Sequence, residues 1–121
     1  MKPAILLVDH GSRRPEANAQ LEALAERLRA RVGDRFVAIA HMELAEPSIE
    51  RGIGACVASG AREIVVHPFF LGPGSHTTRD IPRRVTDAAA GHPGVHARVG
   101  PPLGLDDKLV DLVLERIEQA P

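Results

Sequence analysis

Short apolar runs alternate along the chain with stretches in which apolar residues recur every three or four positions. Residues 4–8, "AILLV", form a continuous apolar run, as in a strand buried on both faces. Pro15 then opens a helical pattern: Leu21, Leu24, Leu28 and Val32 fall on one stripe, and Gly33 ends it. "FVAIA" (36–40) predicts a second strand. Pro47 suits the first turn of a second helix, with Ile49, Ile53, Cys56 and Val57 as its stripe and Gly60 as its stop. "EIVVHPFFL" (63–71) holds a third strand over 63–67, because His67 precedes a proline and stays extended. "GPGS" (72–75) reads as a loop, and a third helix starts near Asp80 with Pro82 in its first turn. "VHARVG" (95–100) predicts a fourth strand. A last helix starts near Asp106 and Asp107, whose charges suit a helix N-terminus, and is expected to bury Leu109, Leu112, Val113 and Ile117.

The order βαβαβαβα predicts an α/β fold, a four-stranded parallel sheet with helices on both faces in three αβα layers. Right-handed crossovers favour the flavodoxin-like strand order 2-1-3-4. In such sheets ligands bind beyond the carboxyl ends of the strands, at the switch point between strands 1 and 3. No repeat, linker or low-complexity tract divides the chain, so residues 1–121 read as one domain.

Composition narrows the function classes. A net charge of −1 announces no basic face for nucleic acid. No apolar run approaches the ~20 residues of a membrane span. The start, "MKPAILLVDHGS", has too short an apolar run for a signal peptide and no small-residue cleavage site. The single cysteine, Cys56, fits a reducing compartment, so the cytoplasm is expected. Tyr and Trp are absent, so a flat ligand would rest on Phe, Leu, Met and Pro.

The chemistry gathers at the predicted strand ends. "LLVDHGSRR" (6–14) runs from strand 1 into His10, Gly11, Ser12, Arg13 and Arg14. His41 and Glu43 follow strand 2, on one side if the chain stays extended, and His76 follows strand 3 beyond the loop. His10 and His76 flank the switch point and are the leading couple. Imidazole with carboxylate suits Co, Fe, Ni or Zn, and imidazole also accepts protons near neutrality. Gly11, Gly72 and Gly74 allow backbone close to a ligand. Arg13, Arg14, Arg79, Arg83 and Arg84 flank the histidine motifs and could grip carboxylates, about two of the five against the commoner solvated role. Met42, Leu44 and Leu71 could form an apolar wall; Phe69 and Phe70 read rather as core. His67, His92 and His96 read as structural or surface residues.

At these residues the chain resembles the sirohydrochlorin chelatase family, small enzymes that insert a divalent metal into a modified tetrapyrrole. The segments "LLVDHGSRR", "AHMELAEPSI", "PFFLGPGSHTTRDIP" and "PLGL" are similar to its motifs, in its order, over nearly the whole chain. "HMELAEPSI" is most similar to the plant-type ferrochelatases of siroheme synthesis. Those carry an added cysteine motif for an iron–sulfur cluster, which Cys56 alone cannot supply. The short length resembles the single-module cobaltochelatases of the cobalamin pathway.

The resemblance implies a chelatase-like fold and metal insertion into sirohydrochlorin, with Co2+ or Fe2+, or Ni2+, as substrate and no organic cofactor. It implies that His10 and His76 are the catalytic, metal-handling pair, that Glu43 lies near the site, and that two copies pair as a homodimer. Ser12, Arg13, Arg14, Met42, Leu44, Gly74, Ser75 and Arg79 are the residues expected to meet the macrocycle, and His41 is a weaker candidate for Glu43's work. Two other classes use the same residues. A metal carrier would bind the ion without a ring. A phosphoryl-transfer enzyme would use His10, but Asp9 stands where an arginine would be wanted and no P-loop is present.

Overall fold

The computed structural model describes residues 2–72, 74 and 76–121, with backbone alone for 76–78. Four strands, β1 (Ala4–Asp9), β2 (Val37–His41), β3 (Glu63–Pro68) and β4 (His96–Val99), alternate with four helices, α1 (Pro15–Arg29), α2 (Ile49–Ala58), α3 (His76–Ala90) and α4 (Asp107–Glu118). The strands are parallel in the order β2-β1-β3-β4, the flavodoxin-like arrangement expected.

Side-chain alternation along the strands separates two cores. Ala4, Leu6 and Val8 of β1 with Ile64 and Val66 of β3 pack under Ile49, Ile53 and Cys56 of α2 and Ile81 and Val85 of α3. Leu7 of β1 and Val37 of β2 pack on the opposite face against Leu21 and Ala25 of α1. Gly52 lets α2 sit close on the sheet: a Cβ there would lie 2.8 Å from a Leu6 methyl. Ser48 opens α2 by accepting the Arg51 N–H, and Asp106 opens α4 by accepting the Lys108 N–H.

Three expectations change. α3 begins at His76, a turn earlier than expected, so Pro82 lies inside it. That proline removes one helical hydrogen bond, a cost offset by burial of Ile81 and Val85 against the sheet. α1 stops at Arg29, and Val32 still packs half-buried from the following turn. The expected burial of Leu109, Leu112, Val113 and Ile117 does not occur. α4 buries no residue; Leu112, Val113 and Ile117 are exposed and Leu109 is only partly covered. Its amphipathic pattern is real, but among the described residues its apolar face is left largely uncovered.

Candidate active site at the carboxyl edge of the sheet

Pairing between the first two strands continues past their ends. Asp9 stands opposite His41 in register, the Met42 N–H donates to the Asp9 carbonyl at 3.0 Å, and the Glu43 N–H donates to the His10 carbonyl at 3.2 Å. This extension carries His10 and Glu43 out of the sheet together. His10 Nε2 lies 3.0 Å from Glu43 Oε1, and both side chains are about half exposed. In a neutral imidazole so paired, Nε2–H donates to the carboxylate and Nδ1 keeps its lone pair for a proton or a cation.

His41 is used differently from the expectation. Its ring is buried, and Nδ1 lies 2.5 Å from Asp9 Oδ1. His41 and Glu43 follow one another at the strand end, but one is buried and the other exposed, so His41 supports the floor of the site. This pair also accounts for the aspartate in the Asp-His-Gly-Ser run: Asp9 satisfies a buried histidine on the neighbouring strand.

The loop after β1 is held by a residue that sequence reasoning passed over. The Ser12 N–H donates to Asn18 Oδ1 at 2.9 Å, and Asn18 Nδ2 donates to the Ser12 carbonyl at 2.7 Å. The Ser12 hydroxyl accepts the Arg14 N–H at 3.0 Å. The available signal was a lone amide residue in the first turn of an otherwise apolar-striped helix. Gly11 has φ +91°, and a Cβ there would meet the Glu43 carbonyl oxygen at 1.9 Å. Only glycine lets the two strand ends approach this closely.

A cavity of about 300 Å³ opens beside His10, lined also by Asp9, Gly11, Ser12, Asn18, Phe69 and Phe70. A second, of about 350 Å³, lies across β3 between Gly72, Gly74, Arg79, Phe70 and Pro102. Phe70 belongs to both, so the phenyl rings serve as core and as wall. A larger cavity of about 660 Å³ runs along β2 between α1 and α2 and carries none of these side chains.

The other expected residues divide. Arg13, Arg14, Arg79, Gly74 and Leu44 are exposed. Leu44 holds φ +69°, turning the chain sharply after Glu43. Met42 is buried in the core beneath α3 and offers its side chain to no open wall. Arg84 donates to the Met42 carbonyl at 2.8 Å and grips Glu50 of α2, so it braces the β2–α2 loop. That grip holds the Glu50 carboxyl below its usual range, with the Arg84 hydrogen bond as the main cause. Arg83 pairs with Asp80. Ser75 lies outside the described residues. His76 is the first residue of α3 beyond β3, on the far side of the switch point from His10, and its side chain is likewise outside the description. No group of three or more metal-ligating side chains occurs among the described residues.

Fold and site together define a doubly wound α/β protein with an imidazole–carboxylate couple at the carboxyl ends of β1 and β2, beside its topological switch point. The chain belongs to the CbiX family, whose model matches residues 4–120. It is 46% identical over 114 residues to the chloroplastic sirohydrochlorin ferrochelatase of Arabidopsis thaliana, covering 94% of this chain and 51% of that protein. It is 33% identical to a sirohydrochlorin cobaltochelatase of Methanococcus maripaludis, covering 93% of this chain and 96% of that one. Among solved structures, it superposes on the sirohydrochlorin chelatase SirB of Bacillus subtilis subspecies spizizenii, in complex with cobalt, with TM-score 0.89 and 39% identity, covering 98% of this chain and 51% of that one. The chain thus spans about half the length of the Arabidopsis and Bacillus relatives.

Proposed function

We propose that this chain inserts Co2+ or Fe2+ into sirohydrochlorin. The observation that carries the reading is the His10–Glu43 couple at the carboxyl ends of β1 and β2, 3.0 Å apart, with His10 also lining the cavity that reaches Phe69 and Phe70 after β3. Metal insertion needs a ligand that holds the ion near the ring and a base for each of the two pyrrole protons. His10 supplies both kinds of chemistry through Nδ1, with Glu43 passing the proton from Nε2 toward solvent. His76, arriving from β3, is the second metal-handling group. The metal is a substrate, and no organic cofactor enters the balance: one divalent ion goes in and two protons leave.

The ring would lie along the carboxyl edge against Phe69, Phe70, Leu44 and the Gly74–Ser75 loop. Its acidic side chains would face Arg13, Arg14 and Arg79, which make no ion pair among the described residues. Ser12, tied to Asn18, shapes the turn that presents His10. Holding metal and ring together supplies a proximity gain of up to ~7–11 kcal/mol in favourable cases. One chain covers one face of such a ring, so the working unit is a homodimer that closes the other. Among the described residues no helix is long and apolar enough to cross a membrane, and the reading places the enzyme in the cytoplasm.

The test is to mix the protein with sirohydrochlorin and Co2+ or Fe2+ and follow the visible spectrum of the ring. Catalytic growth of the metallated spectrum above the protein-free rate is expected. Metal binding with no acceleration would make the protein a carrier.

A further inference from the structure

One peptide group stands between the two halves of the candidate site. The Met42–Glu43 amide donates its N–H to the His10 carbonyl at 3.2 Å, and its C=O accepts from Arg84 Nη1–H at 2.8 Å. Arg84 belongs to α3, the helix that begins at His76, and it lies 42 residues along the chain from the carbonyl it holds. The segments that carry His10, Glu43 and His76 therefore meet at this amide.

Packing does not explain a charge at this place. Ile81 and Val85 of α3 are buried in the same core as Met42, with Ala88 against it, so the sheet-facing side of α3 is already filled by apolar side chains. Arg84 lies at the margin of that side and is only 27% exposed, whereas its neighbour Arg83 is 73% exposed and pairs with Asp80 of its own helix. An arginine largely withdrawn from water loses hydration, and acceptors for its N–H groups must offset the loss. Arg84 has two: the Met42 carbonyl, and the carboxylate of Glu50 in the first turn of α2, at 3.1 and 3.3 Å. The Glu50 contact braces helix against helix. The Met42 contact adds nothing to that brace, yet it falls on the peptide whose N–H is bonded to His10.

The Met42 bond acts on the site from two sides. A charged donor at a carbonyl polarises the amide and strengthens the bond its N–H makes, here the one to His10. It also anchors the backbone just ahead of Leu44, whose φ of +69° is kept by a residue with a Cβ only where the surroundings hold it. Glu43 thus has a fixed peptide before it and a constrained turn after it, and its carboxylate stands 3.0 Å from His10 Nε2. On the α3 side the same bond is a tether. Arg84 lies about two turns beyond His76, about 12 Å along the helix, so fixing it to the end of β2 fixes where the helix begins.

We propose that Arg84 is a positioning residue: through the Met42–Glu43 peptide it sets the His10–Glu43 couple and the start of α3 at the spacing that metal binding and insertion require. The inference rests on the reading of His10, Glu43 and His76 as the metal-handling groups. It deepens that reading by making their spacing depend on a side chain that meets neither metal nor ring.

Arg84→Met, Arg84→Lys and Glu50→Gln test it, each followed by urea unfolding, by insertion kinetics and by the visible absorption of Co2+ added to the protein without a ring. Arg84→Met keeps the aliphatic stem and removes both contacts. Its kcat should fall by about tenfold or more, the range for partners that orient a ligand, with KM for sirohydrochlorin within about twofold of wild type and an altered Co2+ spectrum. Arg84→Lys can still donate one charged bond to Met42 but cannot fork onto Glu50 as well. It should recover most of kcat and the wild-type Co2+ spectrum while staying less stable than wild type. Glu50→Gln weakens the brace alone, so stability should fall while kcat and the Co2+ spectrum stay as in wild type. Wild-type kcat and Co2+ spectrum in Arg84→Met would overturn the proposal and leave the insertion reading standing. Losses in Glu50→Gln as large as those in Arg84→Met would also overturn it, since they would follow from stability. A wild type that inserts no metal, with a Co2+ spectrum that Arg84→Met alters, would overturn the insertion reading and support the positioning of the couple. A wild type that neither binds Co2+ nor inserts it would overturn both.

Discussion

Gly11 lies directly against the backbone of Glu43: a Cβ at residue 11 would stand 1.9 Å from the Glu43 carbonyl oxygen. The obstacle is backbone that is itself held by the Glu43 N–H to His10 carbonyl bond, so it cannot swing aside as a flexible side chain would. The +91° φ adds a second penalty for any residue with a Cβ. Gly11→Ala is expected to lower unfolding stability by about 2–4 kcal/mol through these combined strains. It should also separate His10 from Glu43 and lower insertion rate more than metal affinity. Urea unfolding alongside the insertion assay checks both; unchanged values in both would mean the strand ends do not need this contact.

The His10–Glu43 couple predicts a graded response. On the proposed reading, His10→Ala removes the metal ligand and the base together, and insertion should fall by about 10²–10⁴-fold, the range for a positioned acid–base group. Glu43→Gln keeps the shape and a hydrogen bond to Nε2 but removes the charge. A loss of about 10–100-fold is expected there, as for groups that orient a ligand. Far-UV circular dichroism should be unchanged in both, because both side chains are about half exposed. Turnover like that of wild type in the His10 variant would remove His10 from the reaction.

Cys56 is the only thiol in the chain and sits fully buried on the sheet-facing side of α2. Burial alone pushes its pKa up to about 12. At pH 8 only about one thiol in 10⁴ would then be ionised, and reagent has no path to it. Native protein should therefore resist a disulfide-exchange reagent, while unfolded protein should react with one equivalent. Rapid native labelling would mean that α2 opens far more readily than its packing suggests.

The strand order and most element positions were legible because apolar runs, helical stripes and Gly/Pro punctuation agree along the chain. What was not legible is which partner a face meets. The stripe of Leu109, Leu112, Val113 and Ile117 correctly says that α4 has an apolar side, but spacing carries no information about whether its own sheet will cover it. The same blindness affected His41. A histidine at a strand end looks identical in sequence whether it faces solvent or turns inward onto Asp9, and only the β1–β2 register makes those two neighbours. The gathering of His10 and Glu43 at one edge was legible because each closely follows a strand, and the structure sets them 3.0 Å apart. Pro82 misled in a third way: its preference for a first turn is a local cost, and burial of Ile81 and Val85 outweighs it.

His67 offers a test of the α1 face through pH. Its ring lines an open, largely apolar groove beside Leu24 and Leu28 of α1, tilted against Phe69 with centroids 6.3 Å apart. Partial burial holds its pKa below the usual imidazole value. The folded state therefore binds its proton less readily than the unfolded chain, and stability must rise with pH across that interval. The contribution is fully present above the unfolded value, near 6.5, and is lost as pH falls through the lower folded value. Urea midpoints at fixed protein concentration should fall between pH 7 and pH 5, and His67→Phe should flatten part of that slope while leaving the pH 7 midpoint close to wild type. A slope identical in the two proteins would assign the acid sensitivity elsewhere.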